Sequence, residues 1–289
     1  MPSSLPLISV ILPAHNAEAT IRSALKSTLR ALPKNAELLV FLDACTDSTK
    51  AQVESLPDTR IRLIESEVNV GVAAGLNILL AEAKGTFVAR MDADDLCLPW
   101  RFRIQLRKQK QTNADFVFTN AILFGSQLKP FGFLAQLPFG IKREQANLAL
   151  IFANPFVHPA MLAKRSVMND LGGYNKSASE DYELWIRAAM AGKSLVRTRS
   201  YGLLYRVHAK QLTQQGHWQA TKKSDEVLAS AQHKLAERVL NIADASGLSV
   251  GDLREIAWSQ SSKTGIAARF DLLRNIGVQR FVKFGIRGE

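Results

Sequence analysis

Cysteine is nearly missing from this sequence. The 289 residues hold two, Cys45 and Cys97, too few for a disulfide framework, and a reduced, cytosolic setting is expected. No apolar run approaches the ~18 residues needed to cross a bilayer. Met1 to Ser9 carry no Lys or Arg ahead of a short apolar stretch, so a signal peptide is not expected. Internal repeats and low-complexity tracts are absent. So are a Gly-rich phosphate loop of the Walker type and helix-turn-helix, zinc or base-stacking signatures.

What is there reads as globular. The chain is 47% hydrophobic and 22% charged, enough to bury a core without disulfides or a structural metal and incompatible with disorder over most of its length. Its length suits one large or two small domains. The net charge of +11 is unevenly placed: residues 1–100 hold 9 Lys/Arg against 12 Asp/Glu, and residues 101–289 hold 28 against 14. Such an excess in one half points to an anionic partner, whether nucleic acid, anionic lipid or a phosphorylated substrate.

The first hundred residues alternate between two periods. Short apolar runs predict strands over 7–12, 37–42, 60–65 and 86–91; helical spacing predicts helices over 17–32, 47–55 and 71–83. Strands separated by helices of this length imply right-handed crossovers and a parallel sheet. Beyond residue 100, helices are expected over 99–112, 144–152 and 180–191. Strands or extended segments are expected over 115–125, 155–163 and 194–208, with a loop over 126–140. From about residue 216 the chain reads as helical and basic.

In a parallel sheet the ligand crevice lies at the carboxyl ends of the strands. Pro13, Ala14, His15 and Asn16 follow the first strand, Asp43 to Asp47 the second, and Asp92-Ala93-Asp94-Asp95 the fourth. Three carboxylates within four residues repel one another unless a cation offsets them. An all-oxygen set suits Mg²⁺ or Mn²⁺, which bind one or two carboxylates together with substrate phosphates; a solvated acidic turn is the plain alternative. Asp43 ends a buried strand and is a ligand candidate, whereas Thr46 and Asp47 suit a helix N-cap. Glu180-Asp181 opens a helix, where acidic residues are common for dipole reasons alone. Trp185 suits the core of that helix, and His158, between Val157 and Pro159, a structural position. Arg90 and Arg101 flank the acidic cluster, within reach of a phosphate or of the carboxylates themselves.

Together these segments resemble a known family. Ile8-Ser9-Val10-Ile11-Leu12-Pro13-Ala14-His15-Asn16, then Asp43-Ala44-Cys45-Thr46-Asp47-Ser48-Thr49, then Ala89-Arg90-Met91-Asp92-Ala93-Asp94-Asp95 look like family 2 glycosyltransferases of the GT-A fold. Gly172-Gly173-Tyr174, Glu180 to Trp185 and Tyr205-Arg206-Val207-His208 continue the likeness, which covers roughly residues 7–210. The resemblance implies that Asp43 reads the base of a nucleotide-sugar. Family members often write that segment Asp-Asp-Gly-Ser; here Leu42 and Ala44 stand where the first Asp and the Gly would be. It also implies that Asp92, with Pro13, Asn16 and Arg90, belongs to the nucleotide site. Asp94 is expected on the metal, Asp181 is expected to be the catalytic base, and His208 matches a C-terminal group near the metal or diphosphate.

The expectation is an α/β protein with a GT-A-like, Rossmann-type, mostly parallel sheet flanked by helices and a helical C-terminal extension. Residues 1–212 would form the catalytic domain, 1–100 its nucleotide-binding half and 101–212 its acceptor half, with 213–289 a basic helical region. Its activity would be Mn²⁺- or Mg²⁺-dependent inverting transfer of a sugar from a nucleoside diphosphate, UDP foremost, to a glycan or lipid-linked acceptor in cell-surface polysaccharide synthesis. Lys263 to Glu289, basic with interspersed apolar residues, is a candidate for contact with an anionic membrane at the cytoplasmic face. A nucleotidyltransferase or phosphotransferase using the same acidic cluster, and a basic nucleic-acid-binding protein, are the competing classes. The net acidic first hundred residues argue against nucleic acid.

Overall fold

The computed structural model describes residues 7–125, 133–135, 138–177, 179–208 and 225–264. Its centre is a nine-stranded sheet ordered β3-β2-β1-β4-β8-β6-β9-β5, with β7 paired to β6. The strands are β1 (Ile8–Ala14), β2 (Ala36–Asp43), β3 (Ile61–Ser66), β4 (Phe87–Arg90), β5 (Leu96–Cys97), β6 (Phe116–Phe124), β7 (Phe133–Ala135), β8 (Met161–Lys164) and β9 (Leu195–Arg206). β1 to β4 pair in parallel and β9 runs parallel to β6. Antiparallel pairs involve only β5, β7 and β8, so the sheet is mostly parallel, as expected.

The helices are α1 (Ile21–Ala31), α2 (Thr49–Glu54), α3 (Val72–Glu82), α4 (Arg101–Thr112), α5 (Arg143–Phe152), α6 (Arg165–Asp170), α7 (Glu180–Met190), α8 (Glu226–Leu240) and α9 (Val250–Thr264). They cover both sheet faces, which is why the central strands read as unbroken apolar runs. The period of two sorts β1: Val10 and Leu12 pack with Ile21, Leu25 and Leu29 of α1 and Phe102 of α4. Ile11 faces the other way, into a cluster with Leu76, Leu79 and Leu80 of α3 and residues of α5, α7 and α8. Gly75 lets α3 approach β2 closely: a Cβ there would stand 2.8 Å from the Phe41 ring. Pro13 is tolerated in a central strand because the β1–β4 ladder ends at Ile11↔Arg90, before its missing N–H is needed.

Two expectations need correcting. The strand expected over 155–163 is a 3₁₀ turn at His158–Ala160 followed by β8; Pro155 and Pro159 have no N–H for a ladder, so pairing starts only after them. The loop expected over 126–140 contains β7, whose register is Ile122↔Ala135 to Phe124↔Phe133. Lys263 to Glu289 lies, from residue 265, outside the described residues, as do 209–224. The preceding helices are not basic appendages. Leu228, Leu235, Ala236 and Leu240 of α8 join the main core, and Gln232 donates to the Tyr182 hydroxyl at 2.9 Å. Trp185 is fully buried, edge-on to Phe116, Phe118 and His158; truncating it would cost about 3–5 kcal/mol.

Candidate active site

The ends of β1 and β2 form one group of residues. Asn16, at φ +48, accepts the Thr46 N–H on its Oδ1 at 2.9 Å. His15 Nδ1–H donates to the Asp43 carbonyl at 2.5 Å. These contacts tie the two strand-end loops together. Asp47 accepts from the Thr49 N–H at 2.9 Å and from its hydroxyl, but the N-cap of α2 is Ser48 rather than the expected Thr46 or Asp47. Ala44 sits at φ +50, a conformation glycine favours, so the backbone of the Gly position survives without its Gly. Asp43 is 6% exposed, and its two oxygens accept from the Val70 and Gly71 N–H groups at 2.7 and 2.9 Å. It therefore anchors the loop that opens α3, a role the sequence did not reveal. Pro13 is half-buried beside this group and adds shape rather than donors.

The ends of β4 and β9 form the second group. Carboxylate oxygens of Asp92, Asp94 and Asp95 lie within 4.8 Å of one another. Arg90, buried, pairs with Asp92 through both terminal nitrogens at 2.8 and 3.3 Å. Burial nevertheless pushes the Asp92 carboxyl up to about 6, against the pull of Arg90 and with the Asp94 and Asp181 charges adding to the rise. Asp95 is 1% exposed and is held well above the carboxylate range by burial and then by Asp92 and Asp94. One of its oxygens accepts the Arg206 N–H at 2.7 Å; the other is buried with no hydrogen-bond partner among the described residues. His208 Nε2 lies 2.9 Å from Asp94 Oδ2. Crowded carboxylates, an orphaned buried oxygen and an adjacent imidazole fit a hard divalent cation, which would relieve the repulsion.

The third group opens α7. Adjacent on the helix, Glu180 and Asp181 diverge. Glu180 Oε1 lies 3.8 Å from His158 Nδ1, and Asp181 Oδ2 accepts the Asn154 amide at 2.7 Å. Burial and the Asp181 charge push Glu180 up to about 7. His158, whose Nε2 lies 3.0 Å from the Tyr174 hydroxyl, is held well below its ordinary value by burial and by Arg90, and so stays neutral. Arg90 feels Asp92, Glu180 and Asp181 together, so β4 and α7 present their charged groups to one space. Arg101 is not part of it: fully buried, it donates to the Arg90 and Met161 carbonyls at 2.9 and 3.0 Å. Asn154 is a site neighbour that sequence reasoning missed, its signal being proximity in the fold; Tyr174 and Arg206 stood in segments that carry the resemblance, but without a role of their own.

A sheet of this order with acidic strand ends defines the GT-A type of glycosyltransferase fold. The chain belongs to the glycosyl transferase family 2, whose family model matches residues 9–172. It is 35% identical over 114 residues to the Escherichia coli UDP-Glc:alpha-D-GlcNAc-diphosphoundecaprenol beta-1,3-glucosyltransferase WfgD, a match covering 39% of this chain and 45% of WfgD. S. aureus TarS 1-349 in complex with UDP-GlcNAc shares the fold with a TM-score of 0.62 at 17% identity, over 94% of this chain and 80% of that one. The mannosyltransferase PcManGT from Pyrobaculum calidifontis, in complex with GDP-Man and Mn²⁺, shares it with a TM-score of 0.60 at 16% identity, over 98% and 85%.

Proposed function

We propose that this enzyme transfers a sugar from a UDP-sugar to a glycan or lipid-linked acceptor, with inversion and with help from Mn²⁺ or Mg²⁺, in cell-surface polysaccharide synthesis. The observation that carries the proposal is the meeting of Asp92, Asp94, Asp95 and His208 with the Glu180–Asp181 pair across Arg90. WfgD, which acts on a diphosphoundecaprenol-linked sugar with UDP-Glc, and TarS, in complex with UDP-GlcNAc, favour UDP and a lipid-linked acceptor, and the PcManGT complex favours Mn²⁺. Residues 1–212 are taken as the catalytic unit, with α8 and α9 packed against it as support.

Asp94, Asp95 and His208 would hold the cation, which when bound would neutralise charge on the departing diphosphate. Asp43, Asn16 and Pro13 would cradle the nucleoside, and Arg90 would keep Asp92 oriented toward it. Asp181 takes the acceptor hydroxyl proton while that oxygen bonds to the anomeric carbon and the bond to the diphosphate breaks. One displacement means inversion, and no covalent enzyme intermediate is needed. An acceptor linked to lipid would place the enzyme at the cytoplasmic membrane face.

A thermal-shift screen tests this reading. UDP with Mn²⁺ should raise the melting temperature by mass action, and oligonucleotides should not. Release of UDP during transfer supports the reading; release of inorganic diphosphate would identify a nucleotidyltransferase instead.

A further inference from the structure

Residues 19–36 and 96–114 are two of the stretches of this chain that contain no carboxylate. They form α1 and α4, which pack on the same sheet face in one apolar cluster, and Ser27 Oγ accepts the Cys97 N–H at 3.0 Å between them. Between the end of α1 and the start of α4 runs an open groove of about 600 Å³, lined by Leu32, Pro33, Pro99, Trp100, Phe102 and Leu106 among others, without an acidic residue. Trp100 is 43% exposed on its rim, with its indole N–H donating to the Tyr201 carbonyl at 2.8 Å.

Cations flank the groove in two stripes. Arg22, Lys26 and Arg30 recur every fourth residue on the outer side of α1, and Lys34 follows. Arg103, Arg107 and Lys110 recur at helical spacing on α4, in line with Trp100. All are exposed, and among the described residues none forms an ion pair. Asp58, which reaches this edge through Arg60, is already paired with it at 2.7 Å. A solvated surface would mix signs; here one sign is segregated on a face that no carboxylate of α1 or α4 interrupts.

We infer that the α1–α4 face docks the enzyme on an anionic lipid surface. Unpaired cations beside an apolar groove complement anionic headgroups over acyl chains, at roughly 1 kcal/mol per cation near such a surface. A half-exposed Trp suits the headgroup layer. Contact here would be peripheral: no helix among the described residues is long and apolar enough to cross a membrane. The inference rests on the proposed lipid-linked acceptor and moves the membrane contact from the C-terminal segment to the catalytic domain itself.

Vesicle flotation of the full chain tests it. Vesicles of phosphatidylcholine and phosphatidylglycerol in a three-to-one ratio should carry the protein, pure phosphatidylcholine should not, and added salt should release it. The double variant Arg103→Glu/Arg107→Glu should lose binding by about tenfold or more, and Trp100→Ala should weaken it. A charge-matched control, Lys176→Glu/Arg199→Glu, should keep it. Undiminished binding in the α4 double variant, or equal loss in the control, overturns the inference, as does preference for a duplex oligonucleotide over the anionic vesicles. Calorimetry of UDP with Mn²⁺ on the same proteins separates the two ideas: absence of nucleotide binding would count against the donor assignment, while flotation alone judges the docking face.

Discussion

Asn154 holds Asp181 in place: its amide nitrogen lies 2.7 Å from Asp181 Oδ2, and its own carbonyl oxygen is fixed by the Phe156 N–H at 3.1 Å. The asparagine can therefore present only its NH₂ to the carboxylate, and the end of α5 sets the direction in which the proposed base at the start of α7 points. Asp181→Asn keeps the shape and removes the basicity. Sugar transfer should fall roughly a hundredfold or more, with donor affinity nearly unchanged by calorimetry. Glu180→Gln should lose less; an equal loss would show that the pair acts through structure.

Asp94→Asn should remove most metal-dependent nucleotide binding while leaving the fold intact, because it relieves repulsion within the acidic cluster. Titration of UDP with and without Mn²⁺ measures this. Undiminished metal-dependent binding would take Asp94 out of the site.

Asp43→Ala should have two separable effects. Losing a charged acceptor should weaken nucleotide binding by about 1.5–3 kcal/mol. Freeing the Val70 and Gly71 N–H groups should also lower unfolding stability, by about 1–3 kcal/mol, without ligand. Metal preference should not change; a shift between Mn²⁺ and Mg²⁺ would mean that Asp43 reaches the metal.

The pH dependence has a definite sign. Glu180 is pushed up to about 7 from 4.5, chiefly by burial, so between those values the folded chain binds more protons than the unfolded one. The contribution of this group to stability is fully present below 4.5 and is lost as pH rises through about 7. Metal-free chemical denaturation should show a stability decline from about pH 4.5 to about pH 7 that Glu180→Gln flattens, with a gain on the order of 1–3 kcal/mol at the higher pH. A steeper decline in the variant would refute the assignment.

Much of this was legible in the sequence because it is written locally. Ile8–Ala14 and Ala36–Asp43 are apolar runs that can lie only inside a covered sheet, and Asp92 to Asp95 follow their strand directly. The partners were not legible. Asn154 meets Asp181 across 27 residues, and Arg206 meets Asp95 across 111; neither spacing has a period. Arg101 makes its hydrogen bonds to carbonyls of β4 and β8, and only its charge reaches Asp92 and Asp95, which its place in the sequence does not show. The cationic face escaped notice for the same reason: each acid-free stretch is unremarkable alone, and only the packing of α1 beside α4 joins them.

The clasp between Asp94 and His208 spans 114 residues, and this bears on the order in which the molecule is made. When Asp95 leaves the ribosome, the carboxylates exist but the imidazole and the Arg206 N–H do not. β9 must be synthesised and laid beside β6 before the acidic turn gains either. On the proposed reading of the site, a nascent chain would carry its nucleotide-side loops well before it could seat a cation firmly.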